Sequence, residues 1–454
     1  MKYQTISPST GLVLNTYTYH TRAEIDEKIT LAQSTYLSWS QQPITKRLEL
    51  LQTVSQLLIT QKNELAILIV KEVGKRLVDA QAEIEKCALV CTYYANEAAK
   101  ILAPKIIKTE AKKSYVRHDP LGVCLAIMPW NFPFWQVFRA AAPALVAGNS
   151  MILKHASNVP ECALAIERLF LQANAPKGLF QSVLIPGSET AQIISDPRLR
   201  KISLTGSEQA GIQVAKLAGG NLIPTVLELG GSDPFIIFPD ADLSLAVQAA
   251  TTSRLIVSGQ SCIAAKRFIV HEHIYDAFLT QFKDSLASKK LGDPLDPNTD
   301  LGPLINQTAI NILQEQVDQS IKSGAKLLTG GKQDPRPGYY YQPTILANVT
   351  PKMRVFSEET FGPVAAVIKF SSNQEALDLA NHPHFGLGSS VWTKNQEIIE
   401  LFTTKLEAGS VFVNTFVKSD PRLPFGGTKK SGYGRELSVE GLYEYTNIKT
   451  IWIN

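Results

Sequence analysis

The chain has 454 residues, with 45 Lys+Arg against 41 Asp+Glu and a formal net charge of +4. At roughly 150 residues per domain this length gives two or three domains, each able to bury a core. A hydrophobic share of 44% with 19% charged residues excludes disordered and fibrous classes, and so weak a charge gives no footing for nucleic acid. No apolar run reaches the roughly 18 residues of a spanning helix, and Met1-Lys2-Tyr3-Gln4-Thr5 carries no signal-peptide core, so neither membrane insertion nor secretion is expected. Five cysteines (Cys87, Cys91, Cys124, Cys162 and Cys262) are odd in number and unpatterned, which points to a reducing, cytoplasmic setting. Cys87 and Cys91 share a helix face, but no second Cys/His pair completes a metal site, and no metal is expected.

Thr21-Arg22-Ala23-Glu24 is a capping-box pattern. Ile25, Ile29, Ala32, Tyr36 and Trp39 follow at spacings of four and three, which predicts a helix. Further helical stretches over about 45–73 and 77–100 make the first hundred residues mostly helical. The basic stretch 105–113 alternates like a solvated edge hairpin. From about 122 the rhythm changes to short apolar strands, expected at 123–128, 151–153, 183–185, 202–204 and 225–227, with helices between them. That alternation is the signature of βαβ units on a parallel sheet. A second alternation, with strands near 235–238, 268–270, 364–370 and 410–413, implies a second α/β sheet and a cleft between the two.

Parallel sheets bind ligands beyond the carboxyl ends of their strands. In the first sheet those ends read Pro129-Trp130-Asn131-Phe132-Pro133, Lys154-His155-Ala156-Ser157, Pro186-Gly187-Ser188, Thr205-Gly206-Ser207 and Glu228-Leu229-Gly230-Gly231. Each alone has a bland account as a turn or cap; five in register are harder to dismiss. Thr205-Gly206-Ser207 opens a helix from Glu208 to about Leu217, whose free N–H groups suit a pyrophosphate or simply take a cap, and no GxGxxG fingerprint supports the first choice. Cys262 ends Ser258-Gly259-Gln260-Ser261-Cys262, a loop of small residues that gives a thiol access. The other four cysteines lie in apolar stretches where packing is the default.

These segments together resemble the aldehyde dehydrogenase superfamily over nearly the whole chain. The resemblance rests on Met128-Pro-Trp-Asn131-Phe-Pro, Leu227-Glu228-Leu-Gly-Gly, Ser258-Gly-Gln-Ser-Cys262, Glu359-Thr-Phe361-Gly-Pro and Leu423-Pro-Phe-Gly-Gly, in family order and with 34 residues from Glu228 to Cys262. Within the superfamily the chain is most similar to succinate-semialdehyde dehydrogenases, which implies oxidation of succinate semialdehyde to succinate, a step of GABA degradation. The implied fold is α/β: a Rossmann-like dinucleotide-binding domain (1–101 and 121–230), an α/β catalytic domain (231–429) and a small β oligomerisation arm (102–120 and 430–454) joining a homodimer or homotetramer.

The resemblance makes Cys262 the nucleophile, Asn131 an oxyanion donor and Glu228 the general base for water. It places Pro129, Trp130, Lys154, Ser157, Thr205, Gly206, Ser207, Leu229, Glu359 and Phe361 at the cofactor. NAD-preferring relatives commonly carry a glutamate where this chain has Ser157. Its loss removes a charge that repels a 2′-phosphate, so NADP is expected, with NAD accepted less well. Arg139 and Ser419 are implied as holders of the substrate carboxylate, with Phe132, Trp135 and Ser261 lining its tunnel. The chain departs from some relatives at Ile256, where they carry a second arginine, and at Val257, where asparagine is common. Access and a lowered pKa would also make Cys262 oxidation-sensitive. Two rivals stand beside this expectation: a CoA-acylating enzyme, disfavoured by the retained Glu228, and a non-catalytic dinucleotide-binding homologue, disfavoured by the complete Cys262, Glu228 and Asn131 set.

Overall fold

A computed structural model describes residues 1–454. The first sheet has six strands, in the order Gly432–Tyr433, Thr225–Glu228, Leu199–Thr205, Val123–Met128, Ser150–His155 and Phe180–Val183. All neighbours are parallel except the short strand Gly432–Tyr433, which runs antiparallel to Thr225–Glu228 with Gly432 opposite Glu228. The strands are buried almost throughout, as helices on both faces require. From Val123–Met128 the chain builds outward to Phe180–Val183, then returns to add Leu199–Thr205 on the other side. That reversal is a topological switch point, so the segments after Met128 and Thr205 flank a crevice.

The second sheet has seven strands, in the order Lys326–Thr329, Thr344–Ala347, Val364–Phe370, Arg267–His271, Pro234–Ile237, Gly388–Trp392 and Ser410–Val413. Three of these were not expected. Gly388–Trp392 is hidden because buried serines stand where apolar residues would signal a strand. Ser389 and Ser390 are satisfied by donating to the carbonyls of Ser410 and Thr415. Lys326–Thr329 is an exposed antiparallel edge, and Thr344–Ala347 is too short to stand out. In the first sheet, Phe180–Val183 lies earlier than the expected 183–185, because Leu184 leaves the sheet to exchange hydrogen bonds with His20. The chain also begins with a hairpin, Lys2–Ile6 against Val13–Thr18, held by Tyr3 stacked on Tyr19 at 4.2 Å.

Four helices precede the first sheet: α1 Arg22–Trp39, α2 Ile44–Thr60, α3 Lys62–Val73 and α4 Leu77–Ile101. The Thr21/Glu24 capping box forms as expected at the start of α1. The stretch expected as one helix over 45–73 divides at Gln61 into α2 and α3. Helix α5, Trp135–Ala147, is buried along its entire length, so it is apolar all round except where Gln136 and Arg139 have local partners. Residues 102–120 and the C-terminus form a three-stranded arm in which Thr446–Ile453 pairs antiparallel with Lys113–Pro120. The outer edge of Thr446–Ile453 has no strand partner, and Ile448 and Trp452 are exposed on it. Gly432–Tyr433 nevertheless belongs to the first sheet, so residues 430–454 serve two sheets.

The start of α5 has no side-chain cap of its own. Glu83 of α4 supplies one: its Oε1 accepts from the N–H groups of Phe134 at 2.9 Å and Trp135 at 3.0 Å, while its other oxygen ion-pairs with Lys75. Both side chains are fully buried, and the Lys75 ammonium sits 3.8 Å over the Phe132 ring. Removing one member of such a pair leaves an uncompensated buried charge, a loss of about 3–5 kcal/mol. Glu83→Leu is therefore expected to lower the denaturant midpoint strongly, and Lys75→Met combined with Glu83→Gln to recover part of the loss. An unchanged midpoint for Glu83→Leu would show that the pair does not anchor α5.

Candidate active site

Cys262 lies in a loop whose backbone is held in an unusual shape. Val257, Ser258 and Gly259 have φ of 50°, 54° and 80°, three successive residues in the left-handed region. For a β-branched valine that conformation costs about 1–2 kcal/mol. The asparagine common in relatives would tolerate it better, but Val257 is buried in the main core, and burying a valine is worth about 1.5–3 kcal/mol. Burial wins. The loop is tied on every side: Ser258 Oγ donates to Gly302 O at 2.8 Å, Arg254 Nη2 to Gly259 O at 2.7 Å, and Gln260 Oε1 accepts from Ile305 N at 2.8 Å. The fully buried Lys266 ammonium then donates to the carbonyls of Ser261, Cys262 and Ala264 at 3.0, 2.8 and 3.1 Å. No periodicity marks Lys266; a lysine four residues after a loop cysteine was the only available signal.

Glycines set the approach of the other motifs. A Cβ on Gly231 would stand 2.7 Å from the Cys262 carbonyl, and one on Gly259 would stand 2.2 Å from Gly362 O. The Glu228-Leu-Gly-Gly turn and the Glu359-Thr-Phe-Gly turn therefore close onto the cysteine loop from two directions. The Asn131 Nδ2 donates to Gln260 O at 2.9 Å, which fixes the amide beside the same loop. His155 holds the Asn131 segment in place. Its Nε2 lies 2.9 Å from Pro133 O, and its Nδ1 lies 2.9 Å from Ala156 N and 3.1 Å from Met128 O, so the ring bridges the ends of the segment. Burial pushes the His155 pKa down to about 4, keeping the ring neutral.

Glu228 is buried, and neither carboxyl oxygen has a hydrogen-bond partner. Burial raises its pKa well above the usual carboxylate range; Glu436 adds to the rise, and Arg139 and Arg435 oppose it. The Cys262 thiol is half-buried and burial pushes its pKa up to about 12, with Lys266 and Arg139 pulling the other way. A lowered pKa, the condition for oxidation sensitivity, is therefore not met: burial outweighs the neighbouring cations. The other four cysteines are buried, as packing residues should be.

Cys262 stands where two cavities meet. One, of about 350 Å³, is lined by Phe132, Trp135, Arg139, Ser261, Cys262 and Ser419 among others, which brings together all five residues expected at the substrate. Ile256 and Val257 make part of its wall apolar. The second, of about 240 Å³, gathers Pro129, Trp130, Asn131, Thr205, Gly206, Ser207, Leu229, Glu359 and Phe361 around the same sulfur. Trp130 and Phe361 meet edge to face at 5.9 Å. Glu359 Oε1 accepts from Gly231 N at 2.9 Å, and the Ser207 hydroxyl caps the helix Glu208–Gly220 through Ala210 N. Lys154 and Ser157 do not line this second cavity. Lys154 is buried without an ion pair or side-chain hydrogen bond, and burial lowers its pKa. Its Nζ is not sealed from solvent, and an unpartnered ammonium at the end of a parallel strand fits an anionic or hydroxyl-rich ligand.

Arg139 reaches the substrate cavity, but it is not free. It ion-pairs with buried Glu436, donates from Nη2 to Thr205 Oγ1 at 3.2 Å, and lies 4.7 Å from the Phe425 ring centroid. Glu436 had not been singled out in the sequence. It accepts from Ser203 Oγ at 3.0 Å and lies in the segment that returns to the first sheet. No group of three or more His, Cys, Asp or Glu is arranged to hold a metal ion, and no helix is long and apolar enough to cross a membrane. His271, His273, His382 and His384 are exposed or half-exposed, away from both cavities.

A cysteine loop at the meeting point of a parallel-sheet crevice and a second cavity fits the class of NAD(P)-dependent dehydrogenases. Residues 1–451 match the model of the aldehyde dehydrogenase family, and the chain belongs to that family. It is 46% identical over 453 residues, covering all of both chains, to a probable NADP(+) succinate-semialdehyde dehydrogenase of Synechocystis sp.. It is 45% identical over 456 residues, again with full coverage, to succinate-semialdehyde dehydrogenase [NADP(+)] 1 of Mycobacterium tuberculosis. Among solved structures, the succinic semialdehyde dehydrogenase of Streptococcus pyogenes in complex with NADP+ superimposes with a TM-score of 0.97, at 38% identity and 99% coverage of each chain. An NAD-dependent aldehyde dehydrogenase from Sinorhizobium meliloti gives the same TM-score of 0.97 at 32% identity, covering all of this chain and 91% of its own. The fold therefore does not choose between the two cofactors.

In the free protein, alkylation of Cys262 by iodoacetamide is expected to be slow at neutral pH and to rise about tenfold per pH unit up to at least pH 9, because only the thiolate reacts. A rate that levels off by about pH 8 would contradict the burial argument.

Proposed function

We propose that this chain oxidises succinate semialdehyde to succinate, with NADP as the preferred acceptor and NAD used less well. The observation that supports the chemistry is the position of Cys262 at the junction of two cavities, with the Asn131 amide held beside its loop; the Glu228 carboxyl is buried and lines neither cavity as it stands. The relatives and the solved neighbour named for succinate semialdehyde and NADP support the substrate and the cofactor.

The Cys262 sulfur bonds to the aldehyde carbon as its proton passes to solvent, and the carbonyl π electrons move to oxygen. The Asn131 amide and the Cys262 N–H, which has no acceptor within the chain, hold that oxyanion. Each donor of this kind is worth about 3 kcal/mol in the transition state. A bound nicotinamide would supply the acceptor for the hydride on that carbon. The carbonyl re-forms as a thioester on Cys262. Glu228 then removes a proton from water, whose oxygen adds to the acyl carbon; the carbon–sulfur bond breaks and the carboxylate product leaves. A carboxyl whose pKa burial has raised is a stronger base than an exposed one once ionised, which suits this step.

Lys154 and Ser157 are assigned to the adenosine-ribose end. Ser157 brings no negative charge there, and the ammonium of Lys154 favours an anion. Ser207, with Thr205, Gly206 and the N-terminus of the helix Glu208–Gly220, is assigned to the pyrophosphate, Glu359 to a ribose, and Trp130 with Phe361 to the cofactor path. Arg139 and Ser419 are assigned to the substrate. Since Glu436 already balances the Arg139 charge, the guanidinium contributes hydrogen bonds and shape and supplies little net attraction. The domain division stated above, cytoplasmic residence and assembly through the exposed edge of Thr446–Ile453 complete the proposal.

Succinate semialdehyde and butanal assayed with NADP and NAD test it: the charged aldehyde with NADP is expected to give the highest kcat/KM, and Ser157→Glu to shift preference towards NAD. Equal kcat/KM for the two aldehydes would remove the substrate assignment, and an unshifted Ser157→Glu the cofactor assignment.

Glu228→Gln is expected to keep a burst of one equivalent of reduced cofactor while steady turnover falls by about 10²–10⁴-fold. In the wild type, turnover should rise with pH as Glu228 ionises, and the variant should lose that rise. Acceleration by CoA with an acyl-CoA product would replace hydrolysis by acyl transfer.

A further inference from the structure

The substrate cavity has four cations in its lining: Arg76, Lys86, Arg139 and Lys289. Three are neutralised by carboxylates. Arg76 pairs with Asp79 at 2.7 Å, Lys289 with Asp300 at 3.5 Å, and Arg139 with Glu436. The one remaining acid of the lining, Glu83, is held by Lys75 and two backbone N–H groups. Lys86 has no carboxylate at ion-pairing distance. Its Nζ donates to Ser419 Oγ at 2.7 Å and lies 4.5 Å from the Trp135 ring centroid. Asp420 is near enough to act on it electrostatically, but that carboxylate is forked onto Arg422 at 2.7 and 2.8 Å. One positive charge in the cavity is therefore left uncompensated.

Its placement follows from helix geometry. Asp79, Ala82, Glu83 and Lys86 stand at i, i+3, i+4 and i+7 on α4 and present one face to the cavity. Burial, and then Arg139, push the Lys86 pKa down to about 8, so an arriving carboxylate would relieve an ammonium that the empty cavity disfavours. Much of the rest of the wall, including Phe132, Leu255, Ile256, Val257 and Phe425, is apolar and offers a carboxylate nothing.

We propose that Lys86, with the Ser419 hydroxyl beside it and the Trp135 ring beneath it, fixes the far carboxylate of the substrate and is the main determinant of preference for charged aldehydes. The proposal rests on the carboxylated-aldehyde assignment above. It reassigns the electrostatic attraction from Arg139 to a residue of α4.

The test compares wild type, Lys86→Met and Lys86→Arg with succinate semialdehyde and butanal under saturating NADP, with succinate as a competitive inhibitor of butanal oxidation. A charge-assisted hydrogen bond lost from a buried site predicts that the ratio of kcat/KM for the two aldehydes falls about tenfold to a hundredfold in Lys86→Met, chiefly through KM. Weakening of succinate inhibition by a similar factor is expected in Lys86→Met, with Lys86→Arg keeping most of the preference. If Lys86→Met fails to fold, Lys86→Gln takes its place, with the same loss expected. A ratio and an inhibition constant unchanged in a folded variant that lacks the charge overturn the proposal while leaving the substrate assignment intact. A wild type that itself shows no preference for the charged aldehyde overturns both.

Discussion

One buried ammonium organises the centre of this protein. Lys266 has no solvent exposure and gathers three carbonyls of the turn that carries Cys262, while Glu359 lies 3.8 Å away as its counter-charge. A turn of small residues has little side-chain packing to hold it, and successive residues at positive φ are intrinsically unfavourable. Val257 is held by packing, Ser258 and Gly259 by hydrogen bonds, and the cation holds the stretch that follows, from Ser261 to Ala264. Because Glu359 also accepts from Gly231 N, the same charge network reaches the Glu228 turn. The Cys262 loop, the Glu228 turn and Glu359 thus share one electrostatic frame.

Burial works against that frame. It raises the Cys262 pKa although Lys266 pulls the other way, Glu228 is buried without hydrogen bonds, and the positive charge of Arg139 is balanced by Glu436. In so enclosed a place the ionised forms are the costly ones.

Much of this was legible in the sequence, and the reasons differ by feature. The parallel sheet announced itself because strands such as Val123–Met128, buried on both faces, are continuous apolar runs. The motifs at the strand ends were visible because loops carry few other constraints. Gly388–Trp392 was silent because its buried serines hide behind hydrogen bonds that only the fold supplies. Lys266, Glu83 and Glu436 were silent for a related reason: a single charged residue has no periodicity, and its burial depends on partners far away in sequence. Arg139 was found at the right place but with the wrong company, since nothing in its neighbourhood foretells an acid almost three hundred residues later. The Cys262 loop showed its access but not its polarity, which the surrounding burial decides.

The return of the C-terminal segment to the first sheet has a temporal meaning. Gly432 pairs with Glu228, Phe425 exchanges main-chain hydrogen bonds with Glu436, and Ser203 and Arg139 both wait for the Glu436 carboxylate. On the ribosome these partners are made late, after nearly all strands of both sheets. Until then Arg139 has no counter-charge from Glu436, and the edge of Thr225–Glu228 is open. The protein becomes electrically complete only when nearly the whole chain has been made, so a prematurely ended chain bears its defect at the centre as well as at the end.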